Sequence, residues 1–358
     1  MRAQLSQKDY DELTDYLLEC QHDPELFVKL SFPWGEPGTP LENKTGPEKW
    51  QLEILREIKG NIRTAASAIR EAVASGHGIG KSAMVSWLIL WAIGTGANTR
   101  GVVTANTETQ LRTKTWAELG KWYNMWLAKP LFDYTATSIF CNADGYEKTW
   151  RIDAIPWSET SPESFAGLHN QGSRILVIFD EASAVHNIIW EVTEGALTDA
   201  DTEIIWCCFG NPTRSSGRFY DCFHAQRDLW HCRRVDSRSV SFSNKEQIEA
   251  WRKLYGEDSD FFKVRVRGEF PSASDKQYIS QVIVDEARHR VLKPYQYNFA
   301  PVIIGVDPAW TGADKICAYL RQGNFCKLLF EYPKNDNDLQ LAGKIAALED
   351  EYKADAVF

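Results

Sequence analysis

One octapeptide sets the architecture of this chain: Ser75-Gly76-His77-Gly78-Ile79-Gly80-Lys81-Ser82. It follows a predicted strand at residues 68–74 and precedes an apolar helix that is predicted to begin at Lys81 and to end at Gly94. Glycines let a backbone approach phosphate oxygens without Cβ clashes, and the N–H groups at the start of a helix attract anions. The octapeptide therefore predicts a polyphosphate-binding loop, in which Lys81 contacts the β- and γ-phosphates and Ser82 ligates Mg²⁺.

The octapeptide departs from the usual loop pattern at one position. In the standard motif a glycine stands six residues before the lysine, and this chain has Ser75 there. An ordinary glycine-rich turn is the alternative interpretation. A second motif is needed to decide between the two.

The second motif is an apolar run, residues 175–179, that is followed directly by Asp180 and Glu181. Continuous apolar runs are typical of strands buried on both faces, so the two carboxylates are expected at the end of a central strand. Phosphoryl transfer uses such a pair in separate roles: Asp180 would hold Mg²⁺ through its water shell, and Glu181 would orient the attacking water. Together with the loop, the motif predicts ATP hydrolysis with Lys81, Asp180 and Glu181 as catalytic residues.

The order of the predicted elements favours an open α/β sheet flanked by helices. Strands are predicted at residues 101–105, 175–179 and 203–209, and the last two are expected in the middle of the sheet because they are apolar throughout. A long helix is predicted at residues 107–126. Two antiparallel strands are predicted at residues 138–141 and 149–155.

Further candidate residues lie outside the two motifs. Asn211 follows the strand at 203–209 and is predicted either to sense the γ-phosphate or to form a turn with Pro212. Gln51 is predicted to contact adenine. A positive charge near the γ-phosphate is also expected; candidates within the chain are Arg100, Arg112 and Arg174, and a neighbouring subunit could supply it instead.

Composition narrows the class of protein. A net charge of -9 excludes a surface that is positive all over, but it does not exclude a local basic patch that binds nucleic acid. The eight cysteines lack CxxC spacing and paired histidines, which predicts reduced thiols rather than a zinc site. The N-terminus has no basic start or apolar core of a signal peptide, and the most apolar stretch is far shorter than the roughly 20 residues that cross a bilayer. A cytosolic protein without membrane contact is predicted.

Changes along the chain predict four regions. A helical pair and an irregular proline-rich connection form an N-terminal arm at residues 1–45. An ATPase domain follows at 46–225. A serine- and arginine-rich stretch with a charged helix is predicted as a linker subdomain at 226–298. A last α/β region begins at 299 and runs to 358, with strands near 301–307, 316–320 and 327–332 and a helix near 338–352.

Five motifs in order resemble the large subunit of the terminase of tailed bacteriophages or prophages, from about residue 45 to the end. They are Trp50-Gln51, the octapeptide at 75–82, Thr104-Ala105-Asn106-Thr107-Glu108-Thr109-Gln110, Ile178-Phe179-Asp180-Glu181-Ala182 and Gly210-Asn211-Pro212-Thr213. The resemblance implies an ASCE-type P-loop NTPase fold. It also implies that Gln51 contacts adenine, that the loop, Asp180 and Glu181 hydrolyse ATP on Mg²⁺, and that Asn211 and Thr213 couple hydrolysis to DNA movement.

The function implied by the resemblance is ATP-driven translocation of double-stranded viral DNA into a procapsid. Its implied partners are double-stranded DNA, a small terminase subunit and the portal of the procapsid, on which the chain would act as a homo-oligomer. The implied location is the cytoplasm of the bacterial host. DNA would be held mainly through its phosphates, by basic residues in the linker and around the motor.

The resemblance further implies an RNase H-like nuclease in the last region. Asp307 would be its first metal ligand, for Mg²⁺ or Mn²⁺. Two-metal hydrolysis needs several carboxylates, and the next acid is expected just after residues 355–358, so an incomplete nuclease is predicted. Nearby carboxylates that could substitute are Asp314, Glu331 and Asp336.

Two other functions stay open from the sequence. The first is a helicase-like, DNA-dependent ATPase of repair or replication, against which the Asp307 strand and the lack of an evident helicase motif set after Thr213 both count. The second is a non-catalytic prophage remnant that binds nucleotide or partner subunits. Measured turnover of ATP separates the remnant from the two enzymes.

Overall fold

The computed structural model describes residues 6–62, 68–105, 107–157, 168–272, 287, 289–309, 315–333 and 337–358. The chain divides into two compact units, Met1–Ser280 and Gln281–Phe358. Among the described residues, no helix is both long enough and apolar enough to cross a bilayer.

The chain begins with the predicted helical pair, α1 (Gln7–Glu19) and α2 (Pro24–Ser31). Ser6 and Asp9 form a capping box on α1, and Pro24 occupies the first turn of α2, where its missing N–H costs no hydrogen bond. Leu17 and Phe27 are buried in the same apolar cluster as the helix after the glycine-rich loop. The predicted arm therefore packs into the core of the first unit.

Eight strands form the sheet of the first unit, in the order β3-β4-β5-β2-β6-β7-β1-β8. Their bounds are β1 (Ile69–Ser75), β2 (Arg100–Thr104), β3 (Phe132–Tyr134), β4 (Ser138–Cys141), β5 (Arg151–Ala154), β6 (Arg174–Asp180), β7 (Glu203–Gly210) and β8 (His231–Val235). The six strands from β5 to β8 in this order run parallel, while β3 and β4 are antiparallel. The predicted α/β class is confirmed, and β6 and β7 are central and buried, as their apolar sequences indicate.

Helices cover this sheet. They are α3 (Lys49–Asn61), α4 (Lys81–Thr95), α5 (Glu108–Gln110), α6 (Ala117–Met125), α7 (Asn187–Gly195), α8 (Arg218–Phe223), α9 (Lys245–Tyr255) and α10 (Asp260–Phe262). Helix α4 is buried from Met84 to Thr95, which explains why it is apolar on all sides. The predicted helix at 107–126 is interrupted by a π-helical turn, Leu111–Trp116, between α5 and α6.

The predicted linker region at 226–298 contributes an edge strand to this sheet. Strand β8 pairs in parallel with β1, with Glu71 opposite His231. A second π-helical turn, Lys263–Arg267, follows α10, and Val266 packs with Ile248 and Phe262 in a small apolar cluster. The domain boundaries inferred from the sequence stay a prediction.

The second unit is a smaller mixed α/β assembly. Its strands are β9 (Val302–Asp307), β10 (Lys315–Gln322), β11 (Phe325–Pro333) and β12 (Ala356–Val357), in the order β11-β10-β9-β12. Helix α11 (Asp338–Tyr352) packs Leu341 against Ala309 and Ile316. Strand β12 lies parallel to β9, and the other neighbours are antiparallel. These elements match those predicted from the sequence.

Candidate nucleotide-binding site

The glycine-rich loop connects the carboxyl end of β1 to the first residue of α4. Gly78 and Gly80 have φ angles of +69° and +85°, in the left-handed region that side chains other than glycine rarely adopt. A Cβ at Gly78 would meet nothing within 4 Å, so the backbone there borders open space. Ile79 points into the core, while Ser82 occupies the second position of α4 and is half-buried. The loop thus has the backbone conformation that a phosphate cradle requires.

Lys81 is held at the loop by two side chains. Its Nζ lies 3.3 Å from Ser75 Oγ and 3.2 Å from Asn211 Oδ1. Asn211 in turn donates from Nδ2 to the carbonyl oxygen of Ser75 at 2.6 Å, and both residues are buried. The serine that replaces the standard glycine therefore takes part in positioning the lysine.

Two residues of α3 hold the loop from the other side. The Trp50 indole donates to the carbonyl oxygen of Ile79 at 3.2 Å, and Gln51 Nε2 donates to that of Gly80 at 3.1 Å. Gln51 Oε1 accepts from the backbone N–H of Glu48 at 2.8 Å. Both ends of the Gln51 amide are thus occupied by backbone atoms, and the side chain is buried.

Asp180 ends β6 and is buried. Its Oδ2 accepts from Thr115 Oγ1 at 2.6 Å, and its Oδ1 accepts from the backbone N–H of Glu181 at 3.1 Å. Burial raises the pKa of Asp180, as does the Glu181 charge, while the Thr115 hydroxyl and Lys81 oppose the shift. A cation beside Asp180 would relieve this burial cost.

Glu181 follows in an unusual backbone conformation. Its φ of 53° lies in the left-handed region, which is uncommon for residues other than glycine. Strained backbone of this kind is concentrated at active sites and ligand clamps. The half-buried carboxylate contributes to the electrostatic environment of His77 in the loop.

Positive side chains surround His77. Burial lowers the pKa of His77, and Lys81, Arg265 and Lys114 lower it further, while Glu181 acts in the opposite direction. Arg265 also approaches His77 directly, with Nη1 3.4 Å from Nε2. A cluster of cations beside a glycine-rich loop is suited to a polyphosphate.

The end of β8 and the segment that follows it pack directly on the loop. Gly76 donates its N–H to the carbonyl oxygen of Val235 at 3.1 Å, and His77 donates its own to that of Arg265 at 2.8 Å. A Cβ on Gly76 would lie 2.2 Å from Ser237 Oγ and 2.4 Å from the carbonyl oxygen of Val266. Gly76 is therefore required by this packing.

The arginines considered for the transition-state charge lie elsewhere. Arg174 starts β6, at the edge of the sheet opposite to Asp180, and is buried with Glu203, Thr95 and Gln21 as partners. Arg100 starts β2 at that same opposite edge. Arg112 forms an ion pair with Glu108 at 2.9 Å. Arg100 and Arg174 lie at the amino ends of their strands, whereas the loop lies at the carboxyl ends. The prediction that either one supplies the positive charge at the γ-phosphate of its own chain is therefore wrong.

Sequence reasoning missed Thr115, Lys114 and Arg265. Thr115 and Lys114 lie on the π-helical turn, and such turns are frequent at functional sites, but they leave no clear sequence signal. Arg265 lies far along the chain, in a stretch that read as a linker. Only the packing of that stretch on the loop brings Arg265 to His77.

In the second unit, Asp307 ends β9 and is exposed. Its Oδ1 accepts from the backbone N–H of Ala309 at 3.1 Å. Glu331 pairs with Lys315 at 2.6 Å. Asp314 and Asp336 lie outside the described residues. Within the described part of the second unit, no group of three metal-ligating side chains includes Asp307.

Known proteins resemble this chain in sequence and in fold. No protein-family model matches the chain. The probable terminase large subunit of Enterobacteria phage P7 is 30% identical over 292 residues, which are 76% of this chain and 56% of the P7 protein. The chain thus spans about half the length of this relative.

Solved structures of phage large terminases are also similar to this chain. The crystal structure of the HK97 bacteriophage large terminase superposes with a TM-score of 0.52 at 12% identity, covering 94% of this chain and 73% of that one. The ATPase domain of the large terminase of Thermus phage P74-26 gives a TM-score of 0.44 at 18% identity, over 63% of this chain and 94% of that one. The HK97 likeness supports the fold, and the likeness to the P7 protein shows that the chain is related in sequence to a probable phage terminase large subunit.

Proposed function

We propose that this chain hydrolyses ATP to move double-stranded viral DNA into a procapsid. One observation carries the proposal: Lys81, Asn211 and Asp180 come from the carboxyl ends of three adjacent parallel strands or from the residues that follow them, and they meet at one edge of the sheet. Ligands of open α/β sheets bind at that edge.

The residues at this edge fit a magnesium–nucleotide complex. The loop offers open space at Gly78, and three cations lie around His77. Asp180 has a buried carboxylate that a cation would stabilise, and Ser82 supplies a hydroxyl at the start of α4. When bound, Mg²⁺ would neutralise charge on the β- and γ-phosphates. We propose Ser82 and Asp180 as the residues that hold it.

Each side chain then has a defined task. Lys81 would bind the β- and γ-phosphates, and Asn211 and Ser75 hold its ammonium group at the loop. Glu181, whose backbone is in the left-handed region, would orient the attacking water. Asn211 would change its contact with Lys81 when the γ-phosphate binds. Thr213, whose hydroxyl lies 3.1 Å from Ser183 Oγ, would couple that change to the movement of DNA.

We assign the nucleotide base to a cavity beside the loop. A cavity of about 540 Å³ is lined by Gln51, Gly80, Phe242, Trp122 and Lys44 among others. Because the Gln51 amide is bonded to Gly80 and Glu48, we propose that it positions the loop and offers only its remaining hydrogen-bonding capacity to adenine. Phe242 would supply an aromatic face for the base.

The proposed partners follow from the family. They are double-stranded DNA, a small terminase subunit and the portal of a procapsid, on which the chain would assemble as a homo-oligomer in the cytoplasm of the bacterial host. Several arginines of the region at 226–298 are already paired with carboxylates: Arg233, Arg238, Arg252 and Arg267. DNA phosphates would therefore be bound mainly by other basic side chains, and binding should fall steeply with salt.

Steady-state ATP hydrolysis tests this proposal. The purified chain is measured with and without double-stranded DNA, beside Lys81→Ala and Glu181→Gln. We expect turnover that increases with DNA and is lost in both variants. Nucleotide binding without turnover under any condition would instead favour the non-catalytic remnant, and turnover stimulated equally by single-stranded DNA would favour a helicase-like enzyme.

We propose a second activity for the last region, which is cleavage of DNA with Asp307 as a ligand of Mg²⁺ or Mn²⁺. It rests on the position of Asp307 at the carboxyl end of the central strand β9, beside β12. Plasmid cleavage in Mn²⁺ tests it, with Asp307→Ala against Asp350→Ala on the exposed face of α11 as a matched control. Cleavage that Asp307→Ala leaves unchanged would refute the assignment.

A further inference from the structure

Three side chains with metal-binding atoms meet on the face of the sheet that α3 covers. They are Glu57 of α3, Glu71 of β1 and His231 of β8, and one ligand atom of each lies within 4.8 Å of the other two. The parallel pairing of β1 with β8 sets Glu71 directly opposite His231, so both side chains leave the sheet on the same face. This cluster is separate from the phosphate loop.

Glu71 makes the cluster unusual. Its side chain is fully buried, and within the described part of the chain neither carboxylate oxygen has a hydrogen-bond partner. A buried carboxylate without a partner is costly, so either a proton or a bound cation must neutralise it.

Carboxylates outnumber guanidinium groups around this cluster. Arg233 donates to Glu53 Oε2 at 2.8 Å and to Glu57 Oε2 at 2.5 Å, so its guanidinium is shared between those two carboxylates. When the three carboxylates of Glu53, Glu57 and Glu71 are all ionised, the one guanidinium leaves two negative charges unbalanced, and a divalent cation supplies that balance. Glu57 binds Arg233 through Oε2, and its Oε1 lies 2.7 Å from His231 Nδ1.

We propose that Glu57, Glu71 and His231 bind one divalent transition-metal ion, with Zn²⁺ as the probe. Two carboxylate oxygens and one imidazole nitrogen form a ligand set that Zn²⁺ accepts, at about 2.0–2.2 Å from each atom. His231 Nδ1 lies 2.7 Å from Glu57 Oε1, so an ion bound between them would displace the proton of that contact to His231 Nε2 or to solvent, and the two atoms would move slightly apart. The side chain of His231 is 44% exposed, which gives the ion access and leaves room for a water ligand.

Such an ion would cross-link α3, β1 and β8, three elements that support the phosphate loop. Helix α3 carries Trp50 and Gln51, which bond to the loop backbone. Strand β1 leads into Ser75, and β8 ends at Val235, whose carbonyl oxygen accepts from the N–H of Gly76. The ion would therefore stabilise the edge strand β8 and, through it, the loop.

Zinc titration of the full chain tests the proposal. The protein is freed of metal with a chelator and titrated calorimetrically with Zn²⁺ in the absence of nucleotide, and its melting temperature is followed in parallel. We expect one equivalent of Zn²⁺ to be lost, or to bind at least tenfold more weakly, in Glu71→Gln and in His231→Asn. The melting temperature should rise with Zn²⁺ in the unmodified chain and not in these variants.

A control variant and the exposure of His231 allow the zinc titration to decide the proposal. His224→Asn, which changes another exposed histidine of the first unit, is the matched control and should keep the full zinc stoichiometry. His231 is exposed enough that its variant folds even if Glu71→Gln does not. Equal zinc binding in all variants, or no zinc binding by the unmodified chain, would overturn the proposal and leave Glu71 as a protonated core residue.

Discussion

Asn211 and Lys81 are 130 positions apart in the chain, yet Asn211 Oδ1 lies 3.2 Å from Lys81 Nζ. The contact joins the residue after β7 to the first residue of α4, and Asn211 Nδ2 also bonds the carbonyl oxygen of Ser75. One amide thus ties Lys81 to the strand that precedes the glycine-rich loop. Any change at Asn211 is expected to alter both the position of the lysine and the stability of the loop.

Replacing Asn211 by alanine should reduce ATP turnover by roughly 10- to 100-fold, because small displacements of a positioned group cost about that much. It should also lower the free energy of unfolding by about 1–3 kcal/mol, because the buried carbonyl of Ser75 loses its donor. Steady-state kinetics and urea unfolding measure the two effects. Asn124→Ala on the exposed face of α6 is the control, and a turnover equal to that control would contradict the role assigned to Asn211.

Thr115→Val removes the hydroxyl that donates to Asp180 and keeps the shape of the side chain. The carboxylate then loses a hydrogen bond of the charged type, worth about 1.5–3 kcal/mol, and its pKa rises further. We therefore expect a higher Mg²⁺ concentration for half-maximal ATP hydrolysis. Thr113→Val, on the same π-helical turn but bonded to the carbonyl of Thr109, should leave the Mg²⁺ dependence unchanged. Identical Mg²⁺ curves for the two variants would rule out this function of Thr115.

Gly76→Ala should destabilise the first unit through the packing of the segment at 235–268. The added methyl group would lie 2.2 Å from Ser237 Oγ and 2.4 Å from a backbone oxygen of Val266, so backbone must move. Overpacking of this kind costs about 1–3 kcal/mol or more. Gly60→Ala, where a Cβ meets nothing within 4 Å on α3, is the control and should be neutral or slightly stabilising. Thermal unfolding of both variants measures the difference.

Lowering the pH should reduce the free energy of unfolding of the nucleotide-free protein, because His77 must take up a proton in a buried, positively charged environment. Its pKa lies below the usual 6.5, chiefly because of burial and then because of Lys81, Arg265 and Lys114. The folded protein therefore binds fewer protons than the unfolded chain below about pH 6.5. The stability contributed by neutral His77 is fully present above that pH and is lost as the pH falls through the lowered value.

Urea unfolding at a series of pH values measures this effect. The unfolding free energy of the unmodified chain should fall more steeply with acid than that of His77→Gln, and the two should run in parallel above about pH 7.5. The exposed His224→Gln should behave as the unmodified chain does. Parallel curves for His77→Gln and the unmodified chain throughout would show that the folded state does not perturb His77.

The sequence predicted most of the elements because their signals are local. The apolar runs at 175–179 and 203–209 identify β6 and β7, and the glycines and Lys81 identify the loop and the start of α4. The helix predicted at 107–126 was wrong in detail, because a π-helical turn at Leu111–Trp116 interrupts it. Strand β8 was missed because its sequence is polar for a strand, as an edge position permits.

By itself, the sequence determined that this chain forms an open α/β sheet with a glycine-rich loop before a helix and two acidic residues at a strand end, since glycine conformations and apolar runs act over a few residues. The tertiary structure alone decided which side chains meet at the loop. The order β6-β7-β1-β8 brings Asn211 to Lys81 and the segment after β8 to Gly76, and the π-helical turn brings Thr115 to Asp180. Such contacts depend on strand order and helix packing, which no local sequence signal fixes.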